Sequence, residues 1–169
     1  MTELFAGVDA DRGKTLGLWT RRTFIALFAV IALLALAGVF GQRNRETTAT
    51  GGGVSLTVSA PDTVRGGLYW QATFDITTTV AVEHPRLVLR EGWIEGMQVN
   101  SIEPSAESES SRDGQLVLSY GALAPGDRLK IWLQFQVDPT NPGNRDHGLE
   151  LDDAERPLVR IDRDLRVLP

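Results

Sequence analysis

Two hydrophobic patterns divide the chain. Residues 24–40 (FIALFAVIALLALAGVF) run without a charge, whereas beyond Gly53 apolar and polar residues alternate with a period of two. The first pattern predicts a transmembrane helix of about 25 Å, which Trp19, Thr20 and Thr23 on one side and Gly41 and Gln42 on the other extend toward the roughly 30 Å of a hydrocarbon core. The second predicts strands buried on one face. Val54, Leu56 and Val58 alternate with serine and threonine, and Trp70, Ala72, Phe74 and Ile76 alternate with Gln71, Thr73 and Asp75. Further strands are expected at 80–82 with 86–90, 97–102, 115–120, 128–137 and 158–167. The clearest is RLKIWLQFQV, in which Leu129, Ile131, Leu133, Phe135 and Val137 point one way and Arg128, Lys130, Trp132, Gln134 and Gln136 the other, after an Ala124-Pro125-Gly126-Asp127 turn. Lacking any amphipathic helix after the apolar segment, the pattern predicts an all-β, Ig-like antiparallel sandwich of about seven or eight strands behind one N-terminal transmembrane helix, with a small barrel as the alternative.

Between the two patterns, residues 41–53 (GQRNRETTATGGG) are polar and glycine-rich, and read as a flexible tether spanning roughly 20 Å. The expected organisation is a cytoplasmic tail at 1–23, the helix at 24–40, a linker at 41–53 and an extracytoplasmic domain at 54–169. Arg12, Lys14, Arg21 and Arg22 precede the apolar run and Arg43 and Arg45 follow it, so the positive-inside bias places the N-terminus in the cytoplasm. Trp19, Arg21 and Arg22 are the expected interfacial anchors.

Three readings compete for the segment: an uncleaved anchor, a signal peptide cleaved after Ala35-Leu36-Ala37, and a twin-arginine export signal at Thr20-Arg21-Arg22-Thr23-Phe24-Ile25. Length and hydrophobicity favour the anchor. Ala26, Ala29, Ala32, Ala35 and Gly38 recur at every third position, a row along which another helix can approach, although alanine is also common filler.

Composition narrows the chemistry. With 42% apolar and 23% charged side chains among 169 residues, the chain has material for one folded domain plus an appendage. It contains no cysteine, which removes disulfides, thiolate catalysis and cysteine-based metal sites. The net charge of −5 is carried beyond the N-terminal tail and argues against nucleic acid as a partner. Lys14 and Lys130 are the only lysines among many arginines, which fits a GC-rich bacterial genome.

His84 and His147 are the only histidines, too few for a multi-histidine zinc or general-base arrangement, and both are expected in loops. Asp146, Glu150, Asp152, Asp153 and Glu155 crowd one segment that offers oxygen ligands to Ca²⁺, but their spacing fits no known loop and a solvated acidic loop is preferred. The serines of SAESESS at 105–111 lack a G-x-S-x-G context and are expected in a surface loop. No phosphate-binding or dinucleotide motif occurs. No catalytic residue, metal or cofactor is therefore expected.

The remaining feature is Trp132, between Lys130 and Gln134 on the polar side of the best strand. With Tyr69 it is a candidate contact patch for another protein or a polymer. The opposing expectation is that a loop such as 103–114 covers the ring.

GALAPGDRLKIWLQFQV resembles the turn and long strand near the end of bacterial Ig-like ectodomains of the cell-adhesion-related (CARDB) type, a similarity spanning about residues 54–168. GWIEGMQVNSIEP followed by PTNPG is similar to single-pass actinobacterial envelope proteins. The resemblance implies a sandwich and carries over no catalytic residue. Two functions follow as expectations: a non-catalytic extracytoplasmic binding or assembly module, held by the bilayer and contacting an envelope protein or polymer, or an accessory subunit docking into a membrane complex through its helix. Intact mass of the membrane-extracted protein distinguishes the readings of the segment: the anchor predicts the full-length mass, and a mature N-terminus at Gly38 rejects it.

Overall fold

A computed structural model describes residues 6–36 and 42–169, with side chains described for 17–36 and 42–169. These fall into two compact units, an N-terminal one ending at Gly41 and a C-terminal one beginning at Gln42.

The first unit contains one helix, α1 (Ala6–Leu36), which begins well before the expected apolar segment. Within it Gly17–Leu36 is long and apolar enough to cross a membrane, with a mean hydropathy of 1.7 and none of it buried. Trp19, Arg21, Arg22, Ala26, Ala29, Ala32 and Ala35 all lie on this stretch and are exposed. Gly38, and the 37–40 end of the expected span, lie outside the described residues.

The second unit is a β-sandwich. One sheet has the order β1-β2-β4-β9-β6 and the other β12-β11-β5-β8-β7. The strands of the first are β1 (Asn44–Gly51), β2 (Val54–Pro61), β4 (Tyr69–Thr78), β6 (Met97–Glu103) and β9 (Arg128–Val137). Those of the second are β5 (Pro85–Leu89), β7 (Ser108–Arg112), β8 (Gln115–Ser119), β11 (Leu149–Asp153) and β12 (Arg156–Ile161). A third sheet, β10-β13-β3, is formed by β3 (Thr63–Arg65), β10 (Gly143–Asp146) and β13 (Asp164–Leu168). The expected all-β sandwich is thus the observed one, with more and shorter strands, because the chain bends between sheets where the sequence reads as continuous. The pairing is antiparallel except for β13 with β3, which run parallel.

Alternation builds the core as expected. Leu56, Val58, Phe74, Ile76, Ile131, Leu133 and Phe135 of the first sheet meet Leu87, Leu89, Leu118, Leu149 and Leu151 of the second in one buried cluster. The Ala124–Asp127 turn before β9 closes by the Asp127 N–H donating to the Ala124 carbonyl at 3.0 Å, while the Asp127 carboxylate accepts from the Ala124 N–H at 2.8 Å.

Four sequence expectations are corrected. Residues 44–51 are strand β1, paired along their length with β2 from Asn44 opposite Pro61 to Gly51 opposite Val54. The two-residue turn Gly52-Gly53, with φ of 57° and 81°, supplies the left-handed conformation a tight hairpin needs. Residues 44–53 of the supposed 41–53 tether are therefore part of the domain, and Gly41 lies outside the described residues. Residues 108–112 form edge strand β7 against β8, held by backbone pairing and not by apolar burial. Residues 146–155 are largely strand and not a solvated loop, since Leu149 and Leu151 are buried between its acidic side chains. Residues 80–82 make only a bridge, Val82 with Leu123.

A short 3₁₀ turn (Glu91–Trp93) carries Trp93 into the core with no exposed surface. It packs so closely on β10 that a Cβ at Gly92 would overlap the Asp146 backbone. Gly92→Ala is accordingly expected to destabilise the domain by about 1–3 kcal/mol, read as a lowered denaturant midpoint of the full-length protein.

Candidate functional site

The central strands β4 and β9 create two surfaces from one pairing. The register Trp70 opposite Phe135, Ala72 opposite Leu133 and Phe74 opposite Ile131 buries one set. It leaves Tyr69 opposite Gln136, Gln71 opposite Gln134, Thr73 opposite Trp132 and Asp75 opposite Lys130 on the outer face. Strand β6 continues these rows with Gln98 opposite Gln136, Ser101 opposite Gln134 and Glu103 opposite Trp132.

Trp132 is 36% exposed and Tyr69 65%. The Lys130 ammonium lies 5.3 Å from the Trp132 ring centroid, within reach of a cation–π contact. Arg128 pairs with Asp75, and its hydrogen bond holds the Asp75 carboxyl below the usual range. Arg128 and Asp75 are thus matched on this face, beside Lys130 and Glu103 of opposite sign.

Trp132, Lys130, Gln134 and Tyr69 thus share a face, as alternation predicts. The segment expected to cover Trp132 is partly strand β7 of the other sheet. Tyr69 stands four positions along β4 from Thr73, about 13 Å at roughly 3.3 Å per residue, so the two rings flank the Gln71–Gln134 row without touching. Sequence reasoning missed Gln71, Gln98 and Gln136. Their neighbourhood depends on pairing between strands distant in sequence, and only the alternation of each strand signalled which way they point.

The two histidines differ from each other. His84 is exposed in a connection, as expected, while its backbone N–H donates to the Asp153 carboxylate at 2.8 Å. His147, expected in a loop, lies outside regular structure but is wholly buried. Its ring stacks on Trp93 at 3.8 Å and 8°, with Trp70 at 5.5 Å. Burial, reinforced by the charge of Arg163, lowers its pKa to about 3, and neither ring nitrogen has a hydrogen-bond partner. Such a ring packs as a neutral aromatic and offers no base to a substrate.

The acidic segment is spent on structure. Asp146 accepts from Arg90 at 3.0 Å and from the Gly148 N–H at 2.8 Å, while Glu150 meets Arg90 at 3.3 Å and Arg160 at 3.5 Å. Asp152 is half-buried, and desolvation followed by the neighbouring Glu150 raises its carboxyl pKa. Among the described residues no group of three or more acidic or histidine side chains converges to hold a metal.

No protein-family model matches the chain, and no curated protein matches it. Among solved structures it is similar to the CARDB domain of a Pyrococcus furiosus protein crystallised with di-metal ions, at 12% identity over 75% of this chain and 94% of that one, with a TM-score of 0.43. It is also similar to the C-terminal domain of Wzt, at 14% identity over 76% and 81% with a TM-score of 0.44. A third is CaCohA2 from Clostridium acetobutylicum, at 10% identity over 75% and 91% with a TM-score of 0.41. At this level the likeness is one of outline, and no residue role is carried across.

His147 generates a pH signature. Its folded pKa lies below the ordinary 6.5, so between about 3 and 6.5 the unfolded chain binds a proton that the fold excludes. Stability contributed by neutral burial is present above 6.5 and falls by about 1.4 kcal/mol per pH unit on acidification through that window. His147→Phe should flatten this component in denaturation curves taken between pH 7 and 4, and an unchanged pH slope refutes it.

Proposed function

We propose that the protein is a membrane-anchored, non-catalytic binding module. Its β-sandwich stands outside the cytoplasmic membrane and contacts another envelope protein or a polymer through the outer face of the β1-β2-β4-β9-β6 sheet. The observation that carries this reading is Trp132. A large aromatic ring about one-third exposed sits at the middle of a central strand, on the side opposite the core, with Lys130, Gln134 and Tyr69 on the same face. An indole left exposed there contributes nothing to the core, and aromatic rings on otherwise polar surfaces are the favoured anchors of recognition.

Anchoring is supported by α1. Within its unburied 17–36 stretch, residues 24–36 carry no charge and are apolar on every side, a composition that suits lipid better than water. Trp19, Arg21 and Arg22 would hold it at the cytoplasmic interface, with Arg12 and Lys14 fixing the direction. Ala26, Ala29, Ala32 and Ala35 would then be the face along which a second membrane helix packs, the basis of the alternative role as an accessory subunit.

The roles separate on affinity purification of the full-length protein in mild detergent. Trp132→Ser is expected to keep its stability within about 1 kcal/mol, as suits a surface position, while recovery of the partner drops severalfold. Unchanged recovery rejects the sheet face. Loss on replacing Ala29 and Ala32 by leucine, with Trp132→Ser silent, selects the helix instead.

A further inference from the structure

We infer that the ligand of the β4–β9–β6 face is a neutral glycan chain, an inference that rests on this face being the contact surface. Three features select that class: the side chains between the two rings, the state of the charges around them, and the lack of an apolar centre.

The registers place Gln136 and Gln98 in the same cross-strand row as Tyr69, and Gln71, Gln134 and Ser101 in the row between Tyr69 and Trp132, on three adjacent strands. Each amide offers two donors and one acceptor oxygen, and none has a hydrogen-bond partner among the described residues. With the Ser101 hydroxyl, they form a field of neutral donors and acceptors across strands about 4.8 Å apart, which suits the hydroxyls of a sugar chain. The rings at its two ends lie about 13 Å apart along the strand, a separation that a short run of pyranose units can bridge. The electron-rich faces of Trp132 and Tyr69 complement the polarised C–H faces of those units.

The charges select no ionic ligand: Arg128 pairs with Asp75, and the other two, cationic Lys130 near the Trp132 ring and anionic Glu103 opposite Trp132, are of opposite sign and leave the face without net charge. A protein partner fits less well. Stable protein interfaces cover about 800 Å² per side around an apolar centre, whereas here Trp132 and Tyr69 are separated by amides. The face is also open, with a cleft beside Gln98 and Gln136 at one end, and admits a chain where a closed pocket admits only a small molecule.

The test uses the full-length protein in nanodiscs, presented to glucan, mannan and galactan oligosaccharides of about six units and to a uronic-acid oligosaccharide of equal length. Biolayer interferometry should detect at least one neutral glycan and no preference for the acidic one. Trp132→Ala should weaken that binding at least tenfold, and Tyr69→Ala and Gln134→Ala severalfold, with the near-UV circular dichroism of the buried Trp70 and Trp93 retained. Absence of neutral-glycan binding, a preference for the acidic chain, or affinity indifferent to both Trp132→Ala and Tyr69→Ala overturns the assignment. Photocrosslinking through Gln134→p-benzoylphenylalanine separates the two levels. A protein captured there without glycan binding removes the glycan and leaves the face as the contact surface, whereas the absence of both removes both.

Discussion

The stack of Trp93 on His147 is the contact on which the arrangement of the sandwich depends. The two rings lie nearly parallel at 3.8 Å, and Trp93 touches Trp70, Phe74 and Phe135 on the opposing sheet. The indole N–H donates to the His147 and Gly148 carbonyls at 2.9 and 3.1 Å, so a buried polar group is satisfied where an unpaired one would cost about 1–3 kcal/mol. These bonds fix the chain between β10 and β11 as it passes from the three-stranded sheet to the second main sheet. The close approach at Gly92 and the Arg90 bridges to Asp146 and Glu150 surround the same crossing.

That crossing explains what could be read from the chain and what could not. Strands β2, β4 and β9 were legible because their burial alternates with period two. Strand β1 was not, since NRETTATG has no apolar row. Its stability comes from backbone pairing with β2 and a contact between the Thr48 and Thr57 hydroxyls at 2.8 Å. The Gly-Gly pair that made it look like a tether is the hairpin turn itself. His147 was illegible for a different reason. Its environment is made by Trp93, more than fifty positions away, and nothing adjacent to it in sequence distinguishes a buried imidazole from an exposed one. The acidic segment misled in the same way, because its arginine partner Arg90 is supplied by a strand end 56 positions earlier.

The face around Trp132 was half legible. Alternation showed that Trp132 and Tyr69 point away from the core, but their separation and the amide rows between them depend on registers among β4, β9 and β6. A bulge between Val99 and Ser101 is what keeps Ser101 opposite Gln134 and Glu103 opposite Trp132. Without that extra residue the second half of β6 would present the opposite set of side chains.

One strand therefore serves both surfaces, which bears on how a ligand is held. On β9, Ile131, Leu133 and Phe135 have no exposed surface, while the intervening Trp132 and Gln134 are open to solvent. Neighbours are hydrogen-bonded to it on both edges, β4 on one and β6 on the other. Core residues on either side of Trp132 thus fix its backbone, and only side-chain torsions remain to be ordered when something binds. That cost is about 0.5–1.5 kcal/mol for a rotamer-rich side chain, much less than the ordering of a loop, and the contact of Lys130 with the Trp132 ring reduces it further by limiting the ring's freedom beforehand. An open face of this kind, with a cleft only beside Gln98 and Gln136, would bind usefully only if its anchors were held in this way. The dense alternating core beneath the sheet is what fixes the backbone from which Trp132 and Gln134 project.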